Sequence, residues 1–270
     1  MRGMFTCGVT DLMMEKGLIP EGICGVSAGA VFGCNIKSGQ AGRAIRYNSK
    51  YCRDPRYCGL SSLIKTGNYF GVDFCYHEIP SELDPFDNEA YMASPIEFYV
   101  VCTDVDSGEA VYHRCDSGRG EDLEWMRASA SLPLVSRVVK VAGRRMLDGG
   151  ITDAIPLRFF ESIGYERNVV VLTRPRGYQK KLSRSTSLTC AVLRKYPRLV
   201  DAMKRRHEMY NEQLEYVFES ERRGDVFVIC PREALPIDRI ERDPDVLQRV
   251  YSAGRDTCLE RLDDLADFIK

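Results

Sequence analysis

The feature that most constrains this chain is the pentapeptide Gly25-Val26-Ser27-Ala28-Gly29. It joins a short apolar run at 22–26 (GICGV), read as a strand, to a small-residue run at 27–37 (SAGAVFGCNIK), read as a helix. A chain that passes from strand to helix through G-x-S-x-G must turn sharply at the serine. Such a turn forces strained dihedrals and requires small neighbours. Gly25 and Gly29 meet that need, and Ala28 and Ala30 keep the turn uncrowded. The helix start also brings backbone N–H groups and a positive dipole end close to the Ser27 hydroxyl.

The surrounding pattern is layered α/β. Residues 4–16 place Met4, Val9, Leu12 and Met13 at helical spacing, and Gly17 stops the run. Residues 97–103 (EFYVVCT) and 109–114 (EAVYHR) read as strands around an Asp-Ser-Gly turn, and 121–130 as a helix. Residues 138–141 and 144–147 read as a hairpin, 156–163 as a helix and 168–173 (NVVVLT) as a buried strand. Beyond 174 a long helix is expected at 197–223, a strand at 225–230 and an amphipathic helix at 244–268. Strands alternating with helices indicate an α/β fold with its sheet between helical layers.

Size and charge agree with that. A chain of 270 residues, 44% hydrophobic, supports one sizeable core, and a net charge of −1 gives no overall pull toward nucleic acid. No run of about 18 apolar residues is present to span a bilayer. No signal peptide is read, because no apolar h-region follows Met1-Arg2-Gly3-Met4. The 11 cysteines lack CxxC pairing and suit a reducing cytosol. Cys52, Cys58 and Cys75 with His77 are too irregularly spaced for a zinc site, so no metal is expected.

A serine hydroxyl needs a base to become a nucleophile. The sequence offers Asp148, which ends a short strand and is followed by Gly149 and Gly150. A carboxylate before two glycines sits on a tight turn that other backbone can approach closely. Such a carboxylate can take the serine proton directly.

Together these motifs resemble the patatin-like phospholipase family, whose pattern is G-G-G-x-[RK]-G, then G-x-S-x-G, then D-G-[GA]. Arg2-Gly3 matches the tail of the first, Gly25 to Gly29 the second, and Asp148-Gly149-Gly150 the third. Ala128-Ser129-Ala130-Ser131-Leu132-Pro133 resembles the A-S-x-A-x-P stretch that precedes the family's D-G-G. The likeness covers about residues 1–175. It implies a three-layer α/β/α sandwich, a Ser27–Asp148 dyad without histidine, and hydrolysis of acyl ester bonds in lipids through an acyl-enzyme on Ser27. It implies no metal or organic cofactor. The oxyanion donors would come from the backbone around Arg2, Gly3 and Met4, with Ala28 following the nucleophile.

The chain departs from the pattern at its start. Met1 occupies the x position, so the three glycines and the strand before them are absent. We therefore expect Met1 to be an internal methionine of a longer natural chain. The same departure supports a second reading, a non-catalytic, membrane-associating protein that keeps the fold. A third is an α/β-hydrolase triad of Ser27, Asp148 and His207 in that chain order. It is disfavoured because His207 lies mid-helix in a charged run and the elbow follows only one strand. His77 and His113 read as structural or surface residues, His113 on a strand alternating toward solvent.

From 174 to 206 the chain carries eleven Lys or Arg and one acid, Asp201. The plain reading is a solvated face paired with acids elsewhere. The sharper one is peripheral contact with anionic lipid, aided by Tyr178, Leu182, Leu188, Val192 and Leu193. Tyr47, Tyr51, Tyr57 and Tyr69 read as core packing in preference to an acyl pocket. The expectation is a cytoplasmic lipid acyl hydrolase, 1–175 forming the catalytic domain and 176–270 a mainly helical extension. Its partners would be a lipid or ester substrate and the inner membrane face, not nucleic acid. No oligomeric state is assigned.

Overall fold

A computed structural model describes residues 1–183 and 186–270, so Arg184 of the basic stretch lies outside the described residues. The elements run α1 (Gly3–Glu15), β1 (Gly22–Val26), α2 (Ala28–Lys37), α3 (Arg43–Tyr51) and α4 (Leu60–Thr66). A π-helical segment (Phe74–Leu83) precedes α5 (Asn88–Ala93), β2 (Glu97–Asp104), β3 (Ala110–Arg114), α6 (Glu121–Ser129), β4 (Val139–Val141) and β5 (Arg144–Asp148). Then come α7 (Leu157–Ser162), β6 (Asn168–Val171), α8 (Thr186–Val192), α9 (Pro197–Arg223), β7 (Val226–Ile229), α10 (Pro244–Glu260) and α11 (Leu262–Phe268).

Strand β2 organises the first sheet. Along one edge it pairs antiparallel with β3, from Tyr99↔Arg114 to Thr103↔Ala110. Its other edge is shared by two strands in succession. Parallel β1 covers it up to Val26↔Val101, and antiparallel β5 takes over at Cys102↔Asp148. Strand β4 closes the sheet against β5. One face carries Phe98, Val100, Cys102 and Met146 beneath Ala30 and Cys34 of α2 and Trp125 and Met126 of α6. On the other, Leu147 and Val105 meet Leu199 at the start of α9.

Strands β6 and β7 form a separate parallel pair. Their alternation sends Phe227 and Ile229 toward α1 and α10, and Val226 and Val228 toward Leu214 and Val217 of α9. Sheet between helices on both faces is the α/β/α arrangement expected. Each buried aliphatic side chain in these layers contributes roughly 1.5–3 kcal/mol.

Helix α9 fits its sequence signals, with Pro197 in the first turn and Gly224 in the left-handed conformation (φ 86°) at its end. It spans both sheets, burying Leu199 against the first and Val217 against the second. The expected single helix over 244–268 is two, α10 and α11. At Arg261 the backbone leaves helical geometry (φ −113°, ψ 14°), which re-aims the chain so that Leu265 enters the core with α1. Tyr47, Tyr51 and Tyr57 belong to that same core, with Tyr69 packed against it. All eleven cysteines are free thiols. No helix among the described residues is long and apolar enough to cross a membrane.

Candidate active site

The register of β2 creates the site. Strand β1 runs up one edge to Val26, and β5 runs down the same edge from the opposite direction to Asp148. Their ends stand opposite Val101 and Cys102, adjacent residues of one strand, so Ser27 and Asp148 meet head to head.

Ser27 has φ 55° and ψ −115°, a backbone state that costs a non-glycine residue about 1–3 kcal/mol. Gly25 makes the turn possible. A Cβ there would stand 2.4 Å from the Gly29 carbonyl oxygen. Gly29 differs from expectation, since a Cβ on it meets nothing within 4 Å. Its smallness is not forced by crowding, and the space beside the elbow is open. The Ser27 N–H donates to the buried Ser129 hydroxyl at 3.0 Å.

Asp148 is 1% exposed. Its N–H donates to the Ser131 carbonyl at 2.9 Å, and its own carbonyl accepts from the Thr103 hydroxyl at 2.9 Å. Its Oδ1 accepts from the Gly150 N–H at 2.8 Å. Oδ2 is buried without a hydrogen-bond partner among the described residues. Burial pushes this carboxyl above the usual carboxylate range, while the Ser27 hydroxyl, the Arg206 guanidinium, the Gly150 N–H and Lys180 pull it back. Ser27 is thus near enough to stabilise the charge without a well-formed bond to Oδ2. Gly149 lets this loop lie against β2, for a Cβ on it would be 2.1 Å from the Val101 carbonyl oxygen. The 128–133 motif now has a physical role. Ser129 holds the elbow, and Ser131 holds the aspartate.

The expected oxyanion donors divide. A Cβ on Gly3 would stand 2.8 Å from Ala28 Cβ, so the start of α1 lies against the start of α2. The Met4 N–H is committed to the Met1 carbonyl at 3.1 Å and does not serve. The N–H groups of Arg2, Gly3 and Ala28 donate to no other group among the described residues. Helix α2 also lines a mainly apolar cavity of about 310 Å³, where Val31 and Cys34 face Tyr47, Phe86 and Met126.

Helix α9 closes the site from a direction the sequence does not indicate. Arg206 Nε donates to the Gly150 carbonyl at 2.6 Å. Two turns on, Gln213 Oε1 accepts from the N–H groups of Ala154 and Ile155 at 3.1 and 3.0 Å, and its Nε2 donates to Asp153 at 2.6 Å. His207, beside Arg206, has its ring nitrogen 3.0 Å from the Lys204 carbonyl of its own helix. His113, read as a structural or surface residue, is half-buried. It stacks on Trp125 at 4.5 Å and contacts Asp122 at 2.9 Å. With Cys115, these two could approach a metal ion, their donor atoms lying within 4.8 Å of one another. Asp122 is already occupied by His113, the Ser117 and Gly118 N–H groups and the Ser117 hydroxyl, which makes it a turn anchor. Cys52 and Cys75 instead point to separate carbonyls, those of Arg242 and Tyr57.

A family model described as patatin-like phospholipase matches residues 1–160. The chain belongs to the patatin-like phospholipase family. A second model, a domain of unknown function (DUF6363), matches 196–270. Among curated relatives, the uncharacterized protein YjjU of Escherichia coli (strain K12) is 28% identical, over 64% of this chain and 49% of its own. Uncharacterized NTE family proteins of Mycobacterium bovis and Mycobacterium tuberculosis are 25% identical, over 63% of this chain and 45% of theirs. The chain spans about half the length of these relatives. Arg206 and Gln213 lie outside the patatin-like match, yet they grip the loop that follows Asp148.

Proposed function

We propose that this chain is a serine acyl hydrolase acting on lipid esters, with Ser27 as nucleophile and Asp148 as its base. The observation that carries the reading is the shared edge of β2, which brings a strained serine and a buried carboxylate with a free oxygen to one point. Asp148 takes the Ser27 proton as Oγ attacks the ester carbonyl. The N–H groups of Arg2, Gly3 and Ala28 face the oxyanion that forms. The tetrahedral intermediate collapses, Asp148 returns the proton to the departing alcohol, and the acyl group stays on Ser27. Asp148 then activates a water that releases the acid. No histidine takes part.

The apolar cavity along α2, one turn from Ser27, offers room for the acyl chain. Residues 1–175 supply nucleophile and base, and 176–270 supply the wall formed by α9. Work at the cytoplasmic membrane face fits the exposed Leu182, Leu188 and Val192.

The deciding experiment is fluorophosphonate labelling of this chain and of Ser27→Ala, read by intact mass. One adduct on the parent and none on the variant is the expected result. A folded parent that takes no adduct would remove the hydrolase reading.

A further inference from the structure

Helix α9 runs alongside the segment that carries Asp148. Leu199, Arg206 and Gln213 follow one another at a spacing of about two helical turns, so they form one line down the helix. Each meets the chain between residues 147 and 155. Leu199 is buried in one cluster with Leu147 and Ile151, which flank Asp148-Gly149-Gly150. Arg206 Nε donates to the Gly150 carbonyl at 2.6 Å. Gln213 accepts from the Ala154 and Ile155 N–H groups and donates to the Asp153 carboxylate. The order of contacts along the helix matches the order along the segment, so α9 holds it at three successive points.

Gly150 is the centre of this arrangement. Its N–H donates to Asp148 Oδ1 at 2.8 Å, while its carbonyl accepts from Arg206. Held at both ends, Gly150 keeps Oδ1 engaged and leaves Oδ2 as the oxygen without a hydrogen-bond partner. Asp153 is a second anchor. Its carboxylate also accepts from the Tyr112 hydroxyl at 2.7 Å, which ties the segment to β3, and its N–H donates to the Gly149 carbonyl at 2.9 Å. Between the anchors lies a single 3₁₀ turn, Gly149–Ile151. One hydrogen-bonded turn does not hold its own shape, because too few bonds offset the backbone entropy it fixes. Its geometry is therefore set from outside. A helix that only covered the sheet would bury apolar side chains along this line. The half-buried Arg206 and Gln213 instead bond to named backbone groups, which specifies where the turn lies.

We propose that α9 is a positioning helix for the Ser27–Asp148 pair, with Arg206 and Gln213 as positioning residues that hold the Asp148 turn in its reactive geometry. This gives a role to a stretch beyond residue 160, where the patatin-like match ends. It rests on the reading of Asp148 as the base of Ser27. A misplacement of about 1 Å at a reacting group costs up to about 10²-fold in rate. Loss of either tie should therefore slow the chemical step and leave binding in place.

The test is fluorophosphonate labelling of Ser27, resolved into a limiting rate at saturating reagent and a half-saturating concentration. It is run on the parent, Arg206→Met, Arg206→Lys and Gln213→Leu, and on each variant combined with Asp148→Asn. The pH is one at which every labelling rate has levelled, so that ionisation does not enter. The limiting rate should fall about 10–100-fold in Arg206→Met and Gln213→Leu, with half-saturation within about threefold of the parent. Arg206→Lys, which keeps a donor for the Gly150 carbonyl, should lie between Arg206→Met and the parent. Combined with Asp148→Asn, the same substitutions should cost less than about threefold, because no base is left to position. Equal losses with and without Asp148→Asn overturn the proposal, since both side chains would then act on the fold and not through Asp148. Limiting rates within about threefold of the parent overturn it as well. Should Gln213→Leu lose its fold, the two Arg206 variants carry the comparison. Amide hydrogen exchange separates the proposal from the hydrolase reading. A parent that takes no adduct removes the hydrolase. Faster exchange confined to residues 149–155 in Arg206→Met would then still support α9 as the brace of this turn, and unchanged exchange there would overturn it.

Discussion

Val26 and Asp148 stand against neighbouring residues on one edge of β2, Val26 opposite Val101 and Asp148 opposite Cys102. Two strands of opposite direction end there, so the turn leaving one faces the turn leaving the other. The sheet sets this geometry, and a side chain change at Asp148 can remove the chemistry while leaving the geometry intact. Asp148→Asn retains an Oδ1 acceptor for the Gly150 N–H now at 2.8 Å. Ester hydrolysis should fall about 10²–10⁴-fold, the range for losing a positioned base, without loss of thermal stability. Turnover within threefold of the parent would exclude Asp148 as the base.

Ser129 supports Ser27 from a fully buried position. In Ser129→Ala the Ser27 N–H loses its acceptor, which costs about 1–3 kcal/mol when no water replaces it. The melting temperature should drop by several degrees, and fluorophosphonate labelling of Ser27 should slow. Unchanged values of both would mean that the elbow does not depend on this bond.

Much of this architecture is legible locally. Period-two runs mark β2 and β3, Pro197 and Gly224 bracket α9, and the G-x-S-x-G run marks the strained turn. What local pattern misses is where a long helix points. Lys204-Arg205-Arg206-His207 reads as a solvated charged face, and Arg205 does pair with Glu208 at the surface. Arg206 turns inward because Gly150, 56 residues earlier in the chain, offers its carbonyl there. No periodicity encodes that contact. The 128–133 motif was visible as a resemblance, but its role as a clamp on Ser27 and Asp148 requires the fold. The break at Arg261 was hidden because the apolar spacing continues across it to Leu265.

The His207 ring is engaged with its own helix at the Lys204 carbonyl. His207→Ala should therefore keep ester hydrolysis within about twofold of the parent, well below the 10²–10⁴ expected for a general base. A loss of hundredfold would restore the triad with His207.

The glycines of the two turns separate under substitution. Gly149→Ala drives a methyl to 2.1 Å from the Val101 carbonyl oxygen in the central strand, which cannot yield without breaking its ladder. We expect destabilisation above about 3 kcal/mol, seen as loss of soluble protein or a large fall in melting temperature. Gly29→Ala meets open space in the first turn of α2 and should stabilise by about 0.5–1 kcal/mol through helix propensity. The opposite order of stabilities would contradict the described packing of both turns.

As the proposed base, Asp148 would act only when ionised, and burial holds its pKa above the ordinary carboxylate range. The rate of Ser27 labelling should therefore rise with pH through a limb displaced upward from that of a solvent-exposed aspartate. Arg206 is among the groups that pull this pKa back down. Arg206→Met should move the limb to still higher pH, a shift that a merely structural role for Arg206 would not produce. The stability sign runs the other way from activity. A carboxyl whose folded pKa exceeds its unfolded one favours the folded state when protonated, so its contribution is present at acid pH and lost as pH rises through the raised value. Asp148→Asn removes that pH-dependent term, and its melting temperature should vary less with pH across the limb than the parent's. A labelling limb at the position of an exposed carboxylate, unmoved in Arg206→Met, would show that neither burial nor Arg206 governs the base.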